Sequence, residues 1–374
     1  MHRGVHEFIA WVEQHPDLAP LQLTPPATAM DLAVVEERIA SPLPADLRFV
    51  LSRHNGGALP SGQLLSAGDT GADNMLAVAD ELAVRLRKPV RDPELLFPFY
   101  RSDDGGILAF DRSAGPVSDT WPIIDYYLES GEQRLVHRTF DGFCRLRVAE
   151  WTSPDFGSEF TLPSYLRSGE RHVAIEPDVS IAHATVAHAL RRAGRPEEAL
   201  DAYLRAARCV PAQPWCDWEA LKLAALLGDG RAAWEAAVRI SSRAPQPRWR
   251  QRETTPAMVA DVLSVVAARL TSRREQVLRI CDQLAAQAES DREKHHIAAV
   301  RRALHAGTPL PTPLLARVSA VPAAADVAAW VSAVKEAYRK GKVRDEDLLL
   351  DPSYAPLRTQ FALTDVLRTP RAFS

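Results

Sequence analysis

Residues 43–57 read LPADLRFVLSRHNGG, and the reading of this stretch decides the fold of the first half of the chain. A short helix follows Pro44, with Leu47, Val50 and Leu51 on one face at helical spacing. Asn55-Gly56-Gly57 ends it, and because these residues tolerate positive φ they suit a left-handed cap and a turn into extended chain. Working outward, Leu32, Val35, Glu36 and Ile39 predict a helix from Ala29 until Pro42 stops it, and Val5, Phe8, Ile9 and Val12 predict an amphipathic helix before that. On the other side the texture changes to short apolar runs broken by turn residues. Leu95 to Tyr100, Ile107 to Phe110 and Pro122 to Tyr127 read as strands, separated by Asp103-Asp104-Gly105-Gly106 and Ser113-Ala114-Gly115-Pro116. Thr139 then caps a helix through Phe140, Phe143 and Leu146.

Helices flanking a small sheet make residues 1–150 an α+β domain. A stretch rich in Pro, Gly and Ser, residues 151–170, reads as a linker, and residues 171–374 carry almost no strand signal. There Gly194, Ala199, Ala206 and Pro211 recur 34 residues later as Gly228, Ala233, Ile240 and Pro245, with Tyr203 and Ala237 between them. Small residues let two antiparallel helices cross closely and proline ends the second helix, so two helical hairpins are expected from about Ser180 and Pro214. Further helices are expected at Ala257 to Leu270, Arg273 to Glu289, Asp291 to His305 and Ala325 to Tyr338.

The helix Leu32 to Ile39, the leucine-proline to asparagine-glycine-glycine string, the Asp104-Gly105-Gly106 turn and the closing Thr139-Phe140-Asp141-Gly142-Phe143 together resemble the SUKH superfamily over about residues 25 to 150. That superfamily takes in yeast cell-wall-assembly regulators and bacterial immunity proteins. The resemblance implies a helix-flanked antiparallel-type sheet without a catalytic centre, whose surface binds a protein partner, commonly a nuclease or other effector toxin. The hairpins from Ser180 to Pro247 resemble tetratricopeptide repeats, and the string Leu348 to Arg358 is similar to tails that follow such arrays.

Composition narrows the function classes. Residues 1–170 carry 15 Lys+Arg against 25 Asp+Glu, a net charge of −10, while the remainder carries 30 against 23, a net +7. The N-terminal residues Glu7, Glu13 and Asp17 interrupt what would be the core of a signal peptide, and no uncharged stretch reaches the roughly 18 residues of a membrane span. Cys144, Cys209, Cys216 and Cys281 form no CxxC pair, so they read as small buried residues in a reduced, cytoplasmic setting.

No metal, cofactor or catalytic group is expected. No GxSxG, HExxH, GxGxxG or Walker pattern is present, and Asp103-Asp104 with two glycines reads as a hairpin turn. His183 and His188 are five apart and diverge around a helix, and His295-His296, adjacent in a charged helix, read as solvated. The basic run Arg243, Arg248, Trp249, Arg250 and Arg252 has the composition of a nucleic-acid grip, but its place between helices favours a linker in which Trp249 covers a hairpin. The chain therefore reads as a non-enzymatic protein-binding protein, with Asp103, Asp104, Asp111, Asp119, Asp125 and Glu129 as an acidic face for a basic partner such as a nuclease toxin. The alternative is a regulatory adaptor whose repeats bind a protein or peptide.

Overall fold

The computed structural model describes residues 2–18, 21–68, 73–85, 95–115, 120–127, 133–242, 255–267, 273–314, 320–321, 326–358 and 362–372. Two compact units divide the chain, one of Met1–Phe160 with Arg167–Ala182 and one of Thr161–Leu166 with His183–Ser374.

In the first unit, α1 (Arg3–Gln14) buries Val5, Phe8, Ile9, Trp11 and Val12. After β1 (Gln22–Leu23) comes α2 (Ala29–Arg38), opened by a capping box in which the Thr28 hydroxyl accepts from the Asp31 N–H and the Asp31 carboxylate accepts from the Thr28 N–H. Next is α3 (Ala45–Arg53), which buries Leu47, Val50 and Leu51. The helix does not end in the expected left-handed cap: His54 is extended at φ −145°, and the positive φ values belong to Gly56 (+88°) and Gly57 (+125°). Asn55 instead clamps the turn, its side chain donating to the Ala67 carbonyl at 3.2 Å and accepting from the Ala67 N–H at 2.7 Å. Gly57 is needed for proximity as well as for conformation, since a Cβ there would lie 2.2 Å from the carbonyl oxygen of Gln22.

The chain continues through β2 (Gly57–Leu59), β3 (Gly62–Leu64), α4 (Met75–Arg85), β4 (Leu96–Ser102), β5 (Gly106–Asp111), β6 (Ile123–Tyr127), β7 (Gln133–His137) and α5 (Phe140–Trp151). The seven strands pair in sequence order, each antiparallel to the next, as one meander. The three expected strands are the fourth, fifth and sixth of the seven. Thr139 caps α5 by accepting from the Gly142 N–H, and α5 packs on α1. Between helices and sheet lies an aromatic core in which Phe99 meets Phe140 and Phe143 edge-on at 5.4 and 5.3 Å, and Phe8 meets Trp151 at 5.6 Å. The helix α6 (Leu162–Ile175) begins inside the stretch read as a linker.

In the second unit, α7 (Ser180–Arg192) and α8 (Pro196–Arg208) precede α9 (Pro214–Leu227) and α10 (Gly230–Ser242), so helices begin at both expected starts, Ser180 and Pro214. The small residues of the 34-residue register are packing positions: Ala199, Ala206, Ala233 and Ala237 are fully buried, and Ile240 and Tyr203 are 2% exposed. Gly194 and Gly228 take φ of +73° and +77° where the chain turns between helices. Then follow α11 (Pro256–Ala267), α12 (Arg274–Gln287), α13 (Asp291–Ala306), α14 (Val327–Arg339), α15 (Asp345–Leu350), α16 (Ala355–Arg358) and α17 (Ala362–Leu367). The C-terminal region is thus entirely helical among the described residues. His296 departs from the solvated reading. Its side chain is 8% exposed and meets Asp261 Oδ1 at 2.7 Å, whereas His295 is exposed; neighbours on a helix point about 100° apart, so one faces α11 and the other solvent.

The segment after α14 returns to the first helices of this unit. The α15 helix packs on α9 and α11. Its first residue, Asp345, is buried and accepts from Arg191 at 2.7 Å, Arg371 at 2.6 Å and the Tyr338 hydroxyl at 2.7 Å. Beside it, buried Lys222 bridges Glu346 at 2.5 Å and Glu219 at 2.9 Å. No helix among the described residues is long and apolar enough to cross a membrane.

Candidate partner-binding face and a buried histidine–glutamate cluster

The β4–β5 hairpin closes through Asp103-Asp104-Gly105-Gly106. Gly105 supplies a φ of +83°, and Gly106 supplies room, since a Cβ there would lie 2.5 Å from Asp125 Oδ1 and 2.8 Å from Ser102 Oγ. Asp104 accepts from the Ser102 hydroxyl at 2.5 Å, the Gly106 N–H at 3.2 Å and the Tyr127 hydroxyl at 3.2 Å. Burial opposes the charge of Asp104, but these donors outweigh it and hold its carboxyl below the ordinary range. Asp125 has the opposite fate. It lies opposite Leu108 and Arg134 in the sheet register, is 8% exposed, and is pushed up to about 6 by burial first and by the Asp104 charge second. Burial likewise raises the Tyr127 phenol, over whose ring the Arg134 guanidinium sits at 4.9 Å.

The six acidic residues expected to form one face are therefore placed in three ways. Asp103 and Asp104 are exposed in the hairpin turn. Asp111 and Asp125 are buried, Asp111 at 1% exposure with its carboxylate accepting from the Ser113 N–H and hydroxyl, and Asp125 beneath the turn. Asp119 and Glu129 lie outside the described residues, as do Arg243, Arg248, Trp249, Arg250 and Arg252. The structure brings together Asp104, Asp125, Tyr127 and Arg134. The two non-acidic members follow from strand pairing, which no local pattern reveals. Exposed polar groups beside a tyrosine–arginine stack have the composition of binding hot spots.

A second cluster joins the end of β7 to the end of α6. Glu176 Oε2 meets His137 Nδ1 at 2.6 Å and His172 Nε2 at 3.5 Å, while Oε1 accepts from the Arg138 N–H at 2.7 Å. Gly142 makes the space: a Cβ there would lie 2.3 Å from Oε1, so only glycine lets the carboxylate approach the first turn of α5. Burial alone would raise Glu176, yet His137, His172 and the Arg138 N–H bring its carboxyl down to about 2. Burial pushes His137 down, so a neutral imidazole donates its Nδ1–H to an ionised carboxylate. The one sequence signal of this cluster is that His172 and Glu176 stand four apart on one helical face; His137 joins them only through the fold.

An antiparallel meander with helices flanking it defines a domain of the α+β class. Residues 26–145 match the profile of the SMI1 / KNR4 family (SUKH-1), and the chain carries a SUKH-1 domain over that span, about a third of its length. Membership of this segment suggests an immunity-type or regulatory binding role. No curated protein matches the chain. His172 and Glu176 lie beyond the matched residues, whereas Gly142 and His137 lie within them.

Proposed function

We propose that the chain is a cytoplasmic, non-enzymatic protein-binding protein of the immunity type, which neutralises a basic toxin such as a nuclease by binding it through its SUKH-1 domain. The observation that carries the reading is the SUKH-1 match together with the exposed Asp103–Asp104 turn, set beside Tyr127 and Arg134 in a half of the chain with net charge −10. Complementary fields accelerate encounter and discourage wrong partners, and the stacked tyrosine adds apolar contact area. Residues 1–150 act as the recognition domain and 171–374, read as tetratricopeptide-like repeats, as its helical companion. The test is capture of a basic nuclease toxin by the wild-type chain and by Asp103→Lys/Asp104→Lys. Affinity falls at least tenfold in the double variant, and the wild-type complex weakens as salt rises; equal capture by both proteins excludes this face.

One observation favours the adaptor reading. In the helical unit a cleft of about 750 Å³ is lined by Trp234, Val238, Arg273, Gln276, Arg279 and Gln283, with the Arg273 guanidinium 5.2 Å from the centre of the Trp234 ring. The volume lies in the range of ligand sites, and an apolar wall with two arginines suits a peptide bearing carboxylates. On this reading Arg273→Glu abolishes capture of a partner that Asp103→Lys/Asp104→Lys still captures.

A further inference from the structure

We propose that His137, His172 and Glu176 form a zinc(II) site that ties α6 to the end of β7. Each residue offers one donor atom, and the three atoms all lie within 4.8 Å of one another, a spread that side-chain adjustment closes onto one ion. They come from two segments far apart in sequence, while His172 and Glu176, four residues apart, point from one side of the end of a helix. Two imidazoles and one carboxylate form a borderline donor set that suits zinc and is poorly matched to calcium or magnesium, which prefer oxygen alone.

An orphan atom points the same way. His172 Nε2 is buried and makes no hydrogen bond of ordinary length, its carboxylate neighbour Glu176 Oε2 standing 3.5 Å away, and a buried nitrogen so placed leaves room for a water or an ion between the two. The surroundings are those of a ligating carboxylate: Oε2 faces the two imidazoles and Oε1 is fixed by the Arg138 N–H, the kind of outer contact that orients metal ligands. The His172 side chain is 14% exposed, which leaves an edge for ion entry and for water as a fourth ligand, whereas His137 is 2% exposed and supplies the anchored side. Zinc bonds of about 2.0–2.1 Å place donors roughly 3.3 Å apart. The His137–Glu176 pair, at 2.6 Å, therefore opens by about 0.7 Å on metal entry, and the His137 ring stays neutral by giving up its Nδ1 proton and taking one on Nε2, which frees Nδ1 for the ion.

The competing arrangement is a hydrogen-bonded staple with no metal. The full chain, stripped with a chelator and returned to buffer, is titrated with zinc chloride in competition with a zinc-sensing dye, and cobalt(II) is used separately to read coordination from visible absorption. The expected result is one equivalent bound, cobalt bands of a four-coordinate site, and at least a hundredfold weaker binding in His172→Ala. His295→Ala, which removes an exposed imidazole elsewhere, leaves binding unchanged. Absence of stoichiometric binding by the wild-type chain overturns the proposal however the variants fold, and so does equal affinity in wild type and a folded His172→Ala.

Discussion

At the scale of single residues, Asp125 is where the domain holds a charge at a cost. Its carboxyl rises to about 6 from an ordinary 3.8, so the folded chain retains a proton that the unfolded chain has released. The contribution to stability is complete below pH 3.8 and is lost as the pH rises through 6. Asp125→Asn keeps the shape and removes the charge. Urea titrations are expected to find it more stable than wild type by about 1–3 kcal/mol at pH 7.5, with the gain vanishing near pH 3.5. A gain of equal size at both values would show that packing rather than ionisation is responsible. Gly106 makes a simpler case: Gly106→Ala drives a methyl into Asp125 and Ser102, and is expected to cost about 1–3 kcal/mol by the same titration.

Elements show what was legible in the sequence and why the rest was not. Long, one-sided helices such as α1 and the buried runs of β4, β5 and β6 announce themselves by spacing. By contrast, β1, β2 and β3 are two or three residues long, and β2 and β3 contain glycine, so they are too short for alternation to register. In β7 the alternation is real but disguised, because Gln133 and His137 face inward beside Leu135, His137 being held there by Glu176. The burial of Asp111 and Asp125 was hidden for the same reason: a carboxylate is normally exposed, and only pairing partners far along the chain make room for it. The string Leu348 to Arg358, similar from sequence to a repeat-array tail, starts inside α15, whose first residue, Asp345, lies just before it and is the buried centre of an ionic cluster. Burial opposes its charge, but Arg191 and Arg371 bring the carboxyl down to about 2, so its stabilisation is present above pH 3.8 and is lost as the pH falls towards 2. Asp345→Ala leaves Arg191 buried without its carboxylate and is expected to destabilise the chain by about 3–5 kcal/mol at neutral pH, measured by thermal or urea unfolding.

Across the whole molecule, the division of charge gives the two halves separate chemistry. Within the helical unit, several basic residues are already committed: Arg191 and Arg371 to Asp345, and Lys222 to Glu219 and Glu346. The acidic half keeps Asp103 and Asp104 exposed at a turn whose glycines are needed for its shape. Toxin binding through that turn, as proposed, would be electrostatic at its rim and therefore screened by salt, while the Tyr127–Arg134 stack would contribute contact that salt does not remove. Tyr127→Ala is accordingly expected to speed dissociation of a complex without changing the salt dependence of its association, as followed by surface-binding kinetics.

The measurement closest to the central claim is co-expression of the chain with candidate basic nuclease toxins, scoring host survival and recovery of a complex for the wild type and for Asp103→Lys/Asp104→Lys. Rescue and a stable complex are expected with the wild type, and loss of both with the double variant. Failure of the wild type to rescue or retain any such toxin, or rescue by both proteins alike, would contradict it.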